Sequence, residues 1–252
     1  MGRARLLAAM FMVSVGSVMF LTACNKAEAP EKDATATAWP APAATQAAIS
    51  VSAPRSGAEV TVPITVKGAA SVFEGTVLIA VESADGSKTF CMTFTTAAEG
   101  APGRGSFEAQ IAFPPPSSST DGRVRVFSES PKDGSVQNLV SVPVVISSEQ
   151  PAIVIESPLC NAEVKSPVTV KGTASVFEAA LVVVVKNSSG EEIGRSNILA
   201  SEAALVGGTF SEEVSFSLPG VGTQNGTIGA YSSSPRDGSI INVFSVPVTL
   251  AP

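Results

Sequence analysis

The sequence predicts an all-β protein built from two tandem sandwiches, and three observations carry that prediction. One heptapeptide occurs almost twice, as Gly68–Glu74 (G-A-A-S-V-F-E) and Gly172–Glu178 (G-T-A-S-V-F-E), 104 residues apart. The same offset relates Pro54 to Pro158, Pro63 to Pro167, Lys67 to Lys171, Gly86 to Gly190, Asp133 to Asp237, Gly134 to Gly238 and Pro143 to Pro247. Within each copy, short apolar or alternating runs are broken by Gly, Pro and Asp-Gly signals, the pattern of strands and turns. Composition points the same way: Val, Ser, Thr, Gly and Pro are abundant, and charged residues are 15% of the 252, against about 25% in ordinary soluble domains.

A repeat of this period is a pair of domains, since solenoid units run to roughly 20–50 residues. Each copy is long enough to bury one core. The chain therefore divides into a leader (1–23), a tether (24–47), a first domain (48–147) and a second domain (152–250).

The totals exclude several chemistries. The net charge is −6, with no basic stripe. Such a surface repels nucleic acid and anionic headgroups. The chain has no histidine, which removes Ser-His and Cys-His nucleophile pairs and imidazole metal sites. Its three cysteines, at 24, 91 and 160, form no C-x-x-C pattern. No cofactor and no metal are expected.

The leader has a basic start (Arg3, Arg5) and an apolar run from Leu6 to Phe20, the layout of a secretory signal peptide. It closes on Leu21-Thr22-Ala23-Cys24, which resembles the lipobox of bacterial lipoproteins. The resemblance implies that Cys24 receives a diacylglyceryl thioether and becomes the first residue after cleavage. The protein would then be extracytoplasmic, held on the outer face of the bacterial cell membrane. A plain transmembrane anchor, or an ordinary cleavage site that happens to precede a cysteine, are the bland readings. Two or three acyl chains make a stable anchor where one does not, each buried methylene contributing about 0.8 kcal/mol. The tether that follows is rich in Ala, Pro and Thr, and is expected to be disordered or partly polyproline-like. It is read as a spacer. Its Trp39, the single tryptophan, is the one candidate contact in it.

Copy one then reads as seven strands. Ile49–Ala53 ends at Pro54 and Gly57. Val62–Gly68 alternates, with Ile64 and Val66 on one face. Thr76–Glu82 is nearly all apolar and should be central. Asp85-Gly86 is a hairpin signal, and Lys88–Thr95 alternates again. Ser106–Phe113 runs into three prolines, and Arg123–Ser128 and Leu139–Ile146 complete the set. Copy two repeats the order, with Leu181–Val185 as its central strand. Seven short strands with turn signals every 8–12 residues or so are the mark of an immunoglobulin-like sandwich.

The residues Pro54, Gly57, Val60, Pro63, Val66, Gly68 and Ala70–Glu74, followed by Ser130–Ser135 and Val142-Pro143-Val144, resemble the immunoglobulin-like domain of bacterial spore germination. That domain is often attached to a GerM-type sporulation and germination domain. Copy two matches through Pro158, Val164, Pro167, Val170, Gly172, Ala174–Glu178 and Ser234–Ser239, and departs at Asn161, where copy one has Gly57. No GerM-type domain is expected within these 252 residues. The resemblance implies a role in the sporulation or germination envelope.

In a seven-strand Greek key the turns after strands two, four and six share one end. The A-S-V-F-E word falls at the first of these and S-P-[K/R]-D-G-S at the last. Candidate site residues are thus Phe73, Glu74, Asp133 and Gly134, with Phe177, Glu178, Asp237 and Gly238 in copy two. One reading is structural: the phenylalanines plug the core, and the glutamates accept N–H bonds from the facing Asp-Gly turn. Another makes this end a recognition surface. A third, calcium, needs six to eight oxygen ligands, more than one Glu and one Asp per copy supply.

The joint Ser147–Pro151 is short and predicts an end-to-end rod. In a rod the Ser175–Glu178 and Ser234–Ser239 segments of copy two would be partly covered. Cys160 would sit far from Cys91, and no bond would join them within one molecule, since a disulfide needs Cα atoms within about 7 Å. An intermolecular or folded-back pair is the alternative.

Three function classes follow. The first is a non-catalytic, lipid-anchored protein presenting two modules to an envelope protein or the cell wall, in germination or as a general adhesion or scaffold lipoprotein. The second is a carboxylate hydrolase using Glu74 or Glu178, which needs two carboxyls about 5–9.5 Å apart across a cleft. The third, a transporter's substrate-binding lipoprotein, needs helical lobes that the sequence does not suggest.

Overall fold

A computed structural model describes residues 46–203, 206–218 and 222–252. The leader, Cys24 and Trp39 lie outside the described residues. No helix among the described residues is long and apolar enough to cross a membrane.

The fold is all-β, with two sandwiches in tandem. Copy one comprises β1 (Ile49–Ala53), β2 (Ala58–Val60), β3 (Ile64–Ala70), β4 (Thr76–Ser83), β5 (Thr89–Thr96), β6 (Gly105–Ile111), β7 (Thr120–Glu129) and β8 (Val136–Ile146). Copy two repeats it as β9 (Ile153–Ser157), β10 (Glu163–Val164), β11 (Val168–Ala174), β12 (Ala180–Lys186), β13 (Glu192–Leu199), β14 (Gly208–Val214), β15 (Gln224–Ser233) and β16 (Ile240–Leu250). Each copy packs a three-stranded sheet (β1-β3-β6; β9-β11-β14) on a five-stranded one (β2-β8-β7-β4-β5; β10-β16-β15-β12-β13).

The strand count is eight per copy, not seven. After the Pro54–Gly57 turn the chain crosses to the other sheet, and β2 pairs in parallel with β8, Ala58 opposite Val144. The fourth strand of the seven expected, β5, pairs with the third, β4, so it belongs to the larger sheet. β4 lies between β5 and β7, which is why it is apolar almost throughout.

The alternation in sequence is the core in space. Val77, Ile79 and Val81 of β4 point inward with Ile64 and Val66 of β3, and with Val124 and Val126 of β7. Gly68 and Gly172 stand where the sheet leaves no room for a side chain. A Cβ at Gly68 would strike the Ser50 carbonyl and the Phe107 ring, and one at Gly172 the Val154 carbonyl and the Phe210 ring. This is a close-approach glycine inside a strand. Arg104 closes the start of copy one: its guanidinium donates to the Ala47 carbonyl (2.8 Å), the Ala69 carbonyl (3.2 Å) and the Ser50 hydroxyl.

The rod is not formed. The first turn of copy two, Pro158–Ala162, lies on β5, the outer strand of copy one. Asn161 Nδ2 donates to the Met92 carbonyl at 3.0 Å, and Cys160 is disulfide-bonded to Cys91 with Cα atoms 5.4 Å apart. The expectation that no bond joins them within one molecule therefore fails, and the folded-back pair is the one formed. The short joint fixes where copy two starts but not how it tilts, and copy two is laid back on the edge of copy one. Hence Phe177, Glu178 and Pro235–Ser239 are exposed, not covered.

Candidate functional site

The A-S-V-F-E word builds the β3–β4 turn. Ser71 N–H donates to the Ala48 carbonyl (2.7 Å), and Gly75 N–H to the Val72 carbonyl (3.0 Å). A single 3-10 turn, Phe73–Gly75, results. The residue that closes the core here is Val72, 3% exposed; Phe73 is 60% exposed. Copy two does the same, with Val176 at 2% and Phe177 at 57%. The expectation that the phenylalanines plug the core is thus off by one residue. The chain enters the turn extended, so Val72 and Phe73 point opposite ways, and the sheet interior takes the smaller.

Glu74 and Glu178 have φ of 52° and 54°, the left-handed region, which costs a non-glycine residue about 1–2 kcal/mol. Copy two holds a second such residue, Ala179 (φ 58°), where copy one has Gly75 (φ 69°). Among the described residues neither glutamate carboxylate makes a hydrogen bond or ion pair. The lock between Glu74 and the Asp133 turn, and its counterpart between Glu178 and Asp237, is therefore not formed.

The β7–β8 turn explains why. Asp133 is committed to its own loop: Oδ1 accepts the Ser135 hydroxyl (2.7 Å) and the Ser135 N–H (3.1 Å). These bonds, hydroxyl first, hold its carboxyl below the usual aspartate range. Asp237 and Ser239 repeat the geometry at 2.7 and 3.1 Å, and the Asp237 carboxyl is lowered for the same reason. Gly134 and Gly238 take φ of 70° and 72°.

Sequence reasoning missed the bulge that follows. Asn138 and Asn242 have φ of 55° and 56°, and each Nδ2 donates to a hydroxyl of the neighbouring strand, Ser128 or Ser232, at 2.9 Å. The pairing shifts there. The signal was an Asn repeated at the 104-residue offset within a strand, where Asn is unfavourable. Beside the bulge, Val136 and Leu139 in copy one and Ile240 and Val243 in copy two are left exposed. Both copies thus display Phe and aliphatic side chains around these turns.

In copy two the turns after β11 and β15 share a concavity of about 500 Å³, lined by Phe177, Glu178, Leu181, Leu199, Ser234 and Pro235 among others. Glu178 is the one carboxylate in its lining; Asp237 and Gly238 stand outside it. Among the described residues no group of three or more Cys, Asp or Glu side chains stands close enough together to hold a metal ion.

Comparison with known proteins gives the following. The family described as the immunoglobulin-like domain of bacterial spore germination matches at residues 48–135 and again at 152–239. No curated protein matches the chain. Among solved structures, the fibronectin(III)-like modules of Clostridium thermocellum CbhA are 14% identical over 81% of this chain and 94% of that one, with a TM-score of 0.25. The BSP domain of a biofilm associated protein is 18% identical over 81% of this chain and 29% of that one, TM-score 0.25. Chicken CNTN1 FN1–FN3 is 11% identical over 79% and 63%, TM-score 0.23. Scores this low carry no argument about how the two sandwiches are placed.

Proposed function

We propose, from the premise that this chain belongs to the family of the immunoglobulin-like domain of bacterial spore germination, that it is a non-catalytic display protein of the sporulation or germination envelope. It is held by a lipid on Cys24, and its two modules meet an envelope protein or the cell wall. The observation that carries the reading is the pair of outward phenylalanines. Phe73 and Phe177 stand exposed in both copies beside glutamates in a costly backbone conformation. Strain of this kind persists where the surroundings enforce it, and it clusters at recognition sites. Catalysis by paired carboxylates finds no support, because the Glu178 concavity offers no second acid.

The test uses a spore-forming host carrying the gene. Transcription should rise in sporulation, and Cys24→Ala should move the protein out of the membrane fraction. Germination of a deletion strain should be restored by the natural gene and not by Phe73→Ala/Phe177→Ala expressed at equal level. Equal transcription in vegetative cells, or full rescue by the double variant, overturns the proposal.

A further inference from the structure

We infer that the cleft between the two sandwiches is a binding site for a neutral oligosaccharide bearing acetamido groups. The cleft holds about 340 Å³ and lies where copy two rests on copy one. Ligand sites favour such junctions, at volumes of roughly 300–1,000 Å³. One wall is apolar: Leu78 and Phe94 are cross-strand partners on β4 and β5, with Met92 beside them. The opposite wall belongs to copy two and sets Asn161, Asn225 and Thr227 beside Pro247 and Val248; Asn187 lines it too, but its amide is held by Ser189 and Glu191 of its own turn.

The chemistry of these walls narrows the ligand. No charged side chain lines the cleft, although the protein is acidic, so an ion is not favoured. On the free edge of β5 the Met92 carbonyl already accepts from Asn161, which disfavours a peptide strand added there. What remains is an exposed ring and a thioether facing amides and a hydroxyl. Among the described residues the Asn225 amide and the Thr227 hydroxyl make no hydrogen bond, and Asn161 keeps its Oδ1 free. Sugar rings present C–H faces to an aromatic ring and hydroxyls to amides. An acetamido group adds a methyl for Met92 and Leu78, and an amide for Asn225.

A second observation is independent of the first. The scaffold of the cleft is duplicated, whereas its recognising groups are not. Gly226, Pro247 and Val248 match Gly122, Pro143 and Val144 at the 104-residue offset. Asn161, Asn225 and Thr227 instead match Gly57, Asp121 and Arg123 at that offset, and Met92 and Phe94, by their pairing with β4, stand where Arg195 and Asn197 stand on β13. These unduplicated groups meet in a place that is formed once per molecule. The disulfide beside them holds the two walls at a fixed separation, which lowers the ordering cost of binding.

The experiment titrates the oxidised full-length chain with N-acetylglucosamine tetramer by calorimetry and saturation-transfer NMR. Expected are saturation of the acetyl methyls and an affinity lowered about tenfold by Phe94→Ala and by Asn225→Ala, each an exposed truncation removing one contact of roughly 1.4 kcal/mol. Phe177→Ala should leave affinity unchanged, as should Cys24→Ala. Absence of binding at millimolar tetramer, or binding unaltered by both cleft variants while their melting temperatures match the natural protein, overturns the inference. Loss of tetramer binding in Phe177→Ala alone would also overturn it, and would place the sugar at the surface proposed above instead.

Discussion

Cys91 on the outer strand of copy one is covalently joined to Cys160 in the first turn of copy two, and neither position belongs to the duplicated pattern. The bond closes a sequence separation of 69 residues, for which denatured-chain entropy contributes about 4 kcal/mol. Intact mass after alkylation without reductant should show neither residue labelled in the monomer. Reductant should lower the melting temperature by several degrees. A monomer with both thiols alkylated refutes the pairing.

The buried residue of the A-S-V-F-E word is the valine. Val72→Ala and Val176→Ala should each cost about 2–3 kcal/mol, and Phe73→Ala and Phe177→Ala less than about 1 kcal/mol. Denaturant titration decides, and the reverse order of effects would restore the phenylalanine as plug.

Ala179 sits in the left-handed region where copy one has Gly75. Ala179→Gly should stabilise copy two by about 0.5–1 kcal/mol. Gly75→Ala should destabilise copy one, because its Cβ would come within 3.1 Å of the Ala97 carbonyl. A loss of stability in Ala179→Gly contradicts the strain argument.

Acid should unfold the protein through named carboxylates. Burial raises the Glu82 pKa, but hydrogen bonds from Arg125 (2.8 Å) and Arg123 (2.8 and 3.0 Å) outweigh it, so the net shift is below the ordinary 4.5. Asp85 is lowered to about 2 by the Ser83 hydroxyl and by Ser87, and Asp133 and Asp237 are lowered also. A depressed folded-state pKa adds stability above the unfolded value, and that stability is lost as pH falls through the folded one. Melting temperature should therefore be flat near neutrality and drop from about pH 4.5 toward pH 2. Glu82→Gln should lower it at pH 7 and flatten the acid slope. An unchanged slope in that variant removes Glu82 from the account.

Gly68 and Gly172 leave no space for a methyl. Gly68→Ala and Gly172→Ala should each cost about 2–3 kcal/mol or more, as overpacking does. Circular-dichroism melts would show it; a neutral effect at both would mean the sheets can part locally.

The strands were legible because inward Val and Ile alternate with polar residues, and because Pro and Asp-Gly mark the ends. The central place of β4 was legible from its unbroken apolar run. What was not legible depended on single contacts. Whether Val72 or Phe73 turns inward is a one-residue phase that an apolar pair cannot fix. The placement of Asp133 on Ser135 in its own turn, in preference to Glu74's neighbourhood, follows from a short Asp-Gly-Ser loop closing on itself. The tilt of copy two is set by Cys160 and Asn161 meeting β5, and neither residue has a counterpart in copy one to announce it.

The Arg104 guanidinium, which gathers carbonyls at 47 and 69 with the hydroxyl at 50, has a mechanical consequence. Any tension entering the chain ahead of residue 46 must first tear this rivet before it can peel β1 from its neighbour. By the pairing of Ala70 with Gly105 and of Ala174 with Gly208, Gly207 stands at the matching place in the second sandwich, so the module nearest the source of the pull is the reinforced one.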